Sequence, residues 1–107
     1  MTKISQLLAV ALMHLLSLAH AQDTLQTTYT QAVLYQGKGE QQPLIVGLGG
    51  SEGGNAWAGH HWKKIRDQLI DKGYAFLAIG YFGVKGAPEQ LDKIAVEDVY
   101  DAITVAI

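Results

Sequence analysis

Residues Pro43 to Asn55 read PLIVGLGGSEGGN, and this stretch constrains the chain more than any other. A short apolar run, Leu44-Ile45-Val46, passes into Gly47, Gly49, Gly50, Gly53 and Gly54, which surround one hydroxyl, Ser51, and one carboxylate, Glu52. Glycine admits positive φ and lacks the Cβ that would block close approach, so the pattern predicts a strand entering a tight loop whose backbone comes close to something. A helix-like pattern follows from Ala56. Strand, glycine loop and helix together are how α/β proteins build an anion-facing crevice at the carboxyl end of a strand.

The rest of the chain fits an α/β class. Residues 24–35 are rich in Thr, Tyr and Val and predict one or two antiparallel or edge strands, with a turn at Gly37-Lys38-Gly39-Glu40. Leu44–Leu48 is apolar on successive residues, as in a strand covered on both faces. Asn55 is placed as an N-cap of a helix over Ala56–Lys72, with Ala58, Trp62, Ile65 and Leu69 on its buried face. Lys63, Lys64, Arg66, Asp67 and Asp71 fall on the wet one, and Gly73 is the stop. Tyr74–Phe82 is a second continuous apolar run, which makes Leu44 to Phe82 one β-loop-α-β unit with parallel strands. Gly83–Lys93 is a loop in which Pro88 opens a helical turn containing Glu89. A last helix starts near Ile94 or Ala95, with Glu97 and Asp98 early and Val96, Val99, Ile103 and Ile107 as its buried stripe.

Composition removes several functions. The net charge of −2 gives no electrostatic footprint for nucleic acid. The absence of cysteine excludes disulfides and thiolate metal sites. At 49% apolar and 17% charged residues the chain has enough core material to fold. Its start reads as a secretory signal peptide over residues 1–21: Lys3 as a positive n-region, an apolar stretch from Leu7 to Leu18, and Ala19-His20-Ala21 as the cleavage site. The apolar stretch is shorter than the roughly 20 residues of a span, so no stable membrane anchor is expected after processing. Residues 22–107 then form the folded part of a secreted or periplasmic protein.

The glycine loop admits three chemical readings. A dinucleotide fingerprint needs glycine at position 52, where Glu52 stands, and an acid at the end of the next strand, which reads Ile79-Gly80-Tyr81-Phe82. A P-loop needs lysine where Asn55 stands. An oxyanion loop needs bare backbone N–H groups between a central strand and the first crossover helix, and Gly50 and Ser51 offer them, with Gly49, Gly53 and Gly54 shaping the loop. The third reading is a tight strand-to-helix turn and nothing more. Glu52 either enters the cleft or caps the following helix, and Tyr81 and Phe82 either line a pocket beside the loop or pack in the core. His60 and His61 are neighbours on a helix, about 100° apart, and cannot grip one metal together. Asp98 and Asp101 lack a partner that would make them an acid/base pair.

On LIVGLGGSEGG, DKGYAFLAIGYFG and APEQLDKIAVEDVYDAI, residues 43–107 resemble the front half of the α/β-hydrolase fold. They are similar in particular to the acyl-CoA thioester hydrolase and bile acid-CoA:amino acid N-acyltransferase branch and to dienelactone-hydrolase-like proteins. The resemblance implies an incomplete three-layer αβα domain and a serine-type hydrolase of small acyl esters or thioesters without metal or organic cofactor. It also implies that the last helix leads into the strand carrying the nucleophile. No G-x-S-x-G turn occurs in the sequence, and Ser51 lies before the first crossover helix, where no nucleophile elbow falls. No triad member is therefore expected here, the chain alone is expected to be inactive, and the carry-over stops at the backbone N–H groups of Gly50 and Ser51. Export from the cytosol argues for an ester over an acyl-CoA substrate. The rival expectation is a non-catalytic secreted binding or structural module.

Overall fold

The computed structural model describes residues 21–107; the signal-peptide expectation falls, apart from Ala21, outside the described residues. The fold is a small mixed α/β domain. Four strands, β1 (Ala21–Thr24), β2 (Gln31–Gln36), β3 (Leu44–Leu48) and β4 (Ala75–Gly80), form one sheet in the order β1-β2-β4-β3. The β2 strand is antiparallel to both neighbours, with Leu34 opposite Leu77, and β3 runs parallel to β4, with Val46 opposite Leu77.

Every residue of β4 is buried, as its continuous apolar run requires of a strand flanked on both edges and both faces. Alternate residues sort the core into two layers. Ala32, Leu34, Leu77 and Ile79 pack on one face against Ala102 of helix α2 (Val96–Ala106), with Val99 and Ile103 beside them. Val33, Tyr35, Phe76 and Ala78 pack on the other against Ile70 and Leu69 of helix α1 (Lys63–Asp71), with Trp57 closing the layer.

The β3 strand differs from the reading of its apolar run. Of its five residues only Gly47 is buried, because β3 pairs only with β4 and has a free edge among the described residues. The expected long helix over residues 56–72 also needs correction. Ala56–Ala58 and His60–Trp62 are two separate 3-10 turns, and the α-helix begins only at Lys63. Gly59 divides them by adopting an extended conformation, φ −77° and ψ 166°. The rotation this imposes shifts the buried face, so Arg66 and Ile70 are the buried residues of α1 while Ile65 is 43% exposed. Lys63 and Asp67 form an ion pair on the wet side.

The α1 terminus matches expectation in detail. Gly73 has φ +101°, its N–H donates to Ile70 O, and Tyr74 N–H donates to Leu69 O. These are the paired bonds of a Schellman ending, which satisfy carbonyls the helix leaves open. Pro88 opens no helical turn; its carbonyl accepts from Gly83 N–H at 2.7 Å and closes the 83–88 loop. In α2 the stripe is offset from the expected one: Ala102 is its buried residue, whereas Val96 and Ile107 are 76% and 91% exposed. Among the described residues no helix is long and apolar enough to cross a membrane.

Candidate functional site

The glycine loop leaves the carboxyl end of β3 and is built on a reverse turn. Gly53 N–H donates to Gly50 O at 3.3 Å, which makes Gly50-Ser51-Glu52-Gly53 a four-residue turn with Ser51 in its second position. Gly53 and Gly54 then carry φ of +76° and +79°, a conformation that side-chain-bearing residues pay strain to adopt. Gly50, Ser51 and Glu52 are exposed at the tip.

Three attachments fix the loop to the sheet. Gly54 N–H donates to Phe82 O at 2.9 Å. Tyr81 Oη donates to Gly49 O at 2.9 Å. Asn55 Nδ2 donates to Gln31 O at 3.2 Å, to Gln31 Oε1 at 3.3 Å and to Ala78 O at 3.1 Å. Asn55 is thus no helix cap, and no side-chain cap bond is made at the turn it precedes. It bridges β2 and β4 at the point where the loop rejoins the body, with its Oδ1 buried and unpartnered among the described residues.

Phe82 is buried, and its ring lies 3.0 Å from where a Cβ on Gly53 would stand. The Tyr81 and Phe82 rings are 5.3 Å apart. Both residues follow β4 directly and support the loop from beneath. Gly80 completes the fit, since a Cβ there would stand 2.7 Å from Val84 Cγ1 and 3.0 Å from Gly54 O. Gly80 and Asn55 are the contributors that sequence reasoning missed. The signal for Gly80 was a glycine interrupting a strand-like run, which marks close backbone approach.

The loop's donors are in two states. Gly50 N–H donates to Glu52 Oε1 at 3.2 Å, so Glu52 folds back on its own turn. Ser51 N–H and its hydroxyl have no hydrogen-bond partner among the described residues. The arrangement sets an unpartnered backbone N–H, on an exposed residue, next in sequence to one holding a carboxylate, which is chemistry suited to an anion.

Beneath the 3-10 turns lies a buried cation. Arg66 is 5% exposed; its Nη1 donates to Trp57 O at 2.6 Å and to Gly59 O at 3.4 Å, and its guanidinium carbon stands 4.0 Å from the Tyr35 ring centre. Cation–π contact and two carbonyls hold the segment that follows the loop. Burial pushes the Tyr35 phenol above its ordinary value, with Arg66 opposing and Asp67 adding to the rise. His60 and His61 are exposed, and among the described residues no cluster of three His, Cys, Asp or Glu could hold a metal ion. Asp101 is exposed and Asp98 half-buried on α2.

No protein-family model matches the chain, and a search of curated proteins finds no match either.

Proposed function

We propose that residues 22–107 correspond to the front part of an α/β-hydrolase fold and that the Gly50–Ser51 loop supplies an oxyanion donor for hydrolysis of a small ester or thioester. In such an enzyme a serine attacks the acyl carbonyl, and one N–H from the loop after the third strand stabilises the developing oxyanion. The observation that carries this reading is the unpartnered Ser51 N–H, exposed on a loop after β3 and before α1 that three hydrogen-bonded attachments hold in place. Preorganisation matters because a donor already aimed costs no reorganisation during reaction. The nucleophile, the acid and the histidine are not assigned to any residue of this sequence, so the chain by itself should not turn over substrate. No metal or organic cofactor is called for by this chemistry.

Residues 1–21 would direct export. Cleavage after Ala21 leaves Gln22–Thr24 of β1 paired with β2, so processing is compatible with the sheet. The mature protein should begin at Gln22.

The test is a titration with dimethylarsinate, a tetrahedral monoanion, followed by backbone amide resonances. Saturable shifts centred on Gly50 and Ser51 are expected, at weak affinity because the loop is exposed and water competes for its donors. Unmoved resonances at both positions would contradict the proposal. The absence of any G-x-S-x-G turn in the sequence favours one second reading, a non-catalytic secreted binding module. That module would take planar acetate as well as the tetrahedral ion.

A further inference from the structure

Gly50 carries the carboxylate of Glu52 on its N–H. Positive φ occurs at Gly53 and Gly54 in the same loop but not at Gly50. The nearest atoms a Cβ on Gly50 would meet all belong to Glu52: Oε2 at 2.8 Å, the carboxyl carbon at 3.6 Å and Oε1 at 3.7 Å. The same carboxylate accepts the Gly50 N–H bond at 3.2 Å through Oε1. The Glu52 carboxylate thus lies over Gly50 and is held there by the Gly50 N–H.

We propose that Glu52 is the loop's own competing anion, its carboxylate occupying Gly50 N–H until the oxyanion of an acyl substrate displaces it. This rests on the reading of the loop as an anion acceptor and adds its regulation. The latch is built to open. Glu52 is exposed, so its carboxylate exchanges one N–H for water at little cost. The carboxylate engages Gly50 alone, whereas an incoming oxyanion has Ser51 N–H available as well. A ligand able to use both donors wins the seat, and a lone small carboxylate has to compete with one already tethered there. The loop thereby discriminates against stray anions while it is empty of substrate.

Two variants remove the latch by different chemistry. Glu52→Gln keeps the side-chain shape and removes the charge. Glu52→Ala removes the carboxylate and its reach together. Both should bind dimethylarsinate about three- to tenfold more tightly than the unaltered chain, the range set by the modest net worth of one ordinary hydrogen bond in water. Glu40→Gln removes an equal charge from the turn that precedes β3, at the other end of that strand, and should leave the affinity unchanged. Without ligand, the Gly50 amide resonance should move upfield in Glu52→Gln as the bond to the carboxylate is lost. Tightening in both variants with an unmoved Gly50 amide resonance would reduce the effect to charge alone and overturn the proposal. Equal affinity in every variant would overturn it too, while leaving the oxyanion reading intact. No response at Gly50 or Ser51 in any of the proteins would remove both.

Discussion

Asn55 Nδ2 donates to the main-chain carbonyl of Ala78 over 3.1 Å, tying the last residue of the glycine loop to the middle of the most buried strand. The same amide reaches Gln31, so one side chain spans β2 and β4 and sets where the loop can lie. Losing it should cost stability and loop order together. Asn55→Ala is expected to destabilise by roughly 1–3 kcal/mol, since it strands buried acceptors. Asn55→Asp should cost more, because a carboxylate would face carbonyl oxygens with no proton to give. Urea denaturation of the two variants checks the order; an aspartate tolerated better than alanine would show that the bridge is not made through Nδ2.

The glycines of the β3–loop segment are not equivalent. A Cβ on Gly47 would lie 2.6 Å from Phe76 Cζ and 2.7 Å from Trp57 Cγ, both ring atoms packed in the core, whereas one on Gly49 meets nothing closer than 3.7 Å. Gly47→Ala should therefore cost about 1–3 kcal/mol through overpacking. Gly49→Ala, at a backbone with no positive φ, should fall within about 0.5 kcal/mol of the unaltered chain. Thermal midpoints measured side by side would separate the two.

Tyr35 gives the fold an alkaline limit. Burial raises its phenol above the ordinary value, which means the folded state favours the neutral form. That preference contributes in full below the unfolded-state value of about 10, and it is lost as pH rises through the higher folded-state value. Stability should fall across this alkaline window, and Tyr35→Phe should show a shallower fall there. The difference in unfolding free energy between the two proteins, followed from neutral to alkaline pH, is the measurement. A difference that does not change with pH would mean that Tyr35 ionises equally in both states.

Much of the sheet was legible because its strands announce themselves by composition. Leu44–Leu48 has the expected bounds, and Ala75–Gly80 lies inside the apolar run Tyr74–Phe82. A continuous apolar run says that a strand is covered but not by what, which is why β3 reads like β4 yet sits at an edge. The segment after the loop was the least legible. Spacing from Ala58 to Leu69 suits one helix, but Gly59 interrupts it, and the phase of everything beyond changes. Charge alone puts Arg66 on the wet face; what holds it inside, the carbonyls of Trp57 and Gly59 and the face of Tyr35, comes from two separate places in sequence, and its Nε is left without a hydrogen-bond partner among the described residues. The candidate site followed the same division. Its donors were visible as Gly50 and Ser51 within a run of glycines, while its supports, Asn55 bonding to Ala78 and Tyr81 to Gly49, depend on contacts between residues more than 20 positions apart. The turn of Glu52 onto Gly50 is local, yet a carboxylate beside a predicted helix reads equally well as a cap.

The central claim is that the loop acts through backbone N–H groups, and position 51 isolates it. Ser51 occupies the second position of the Gly50–Gly53 turn, where proline is favoured and where the turn's own hydrogen bond does not use the N–H. Ser51→Pro therefore deletes the donor with the turn kept, and Ser51→Ala deletes only the hydroxyl. The decisive measurement is the dimethylarsinate affinity of these two variants, each first shown to melt at the temperature of the unaltered chain. The account predicts unchanged affinity for Ser51→Ala and a loss of about tenfold for Ser51→Pro, the worth of one hydrogen bond to a charged group. Equal losses in both would assign the work to the hydroxyl, and full affinity in Ser51→Pro would contradict the oxyanion loop outright.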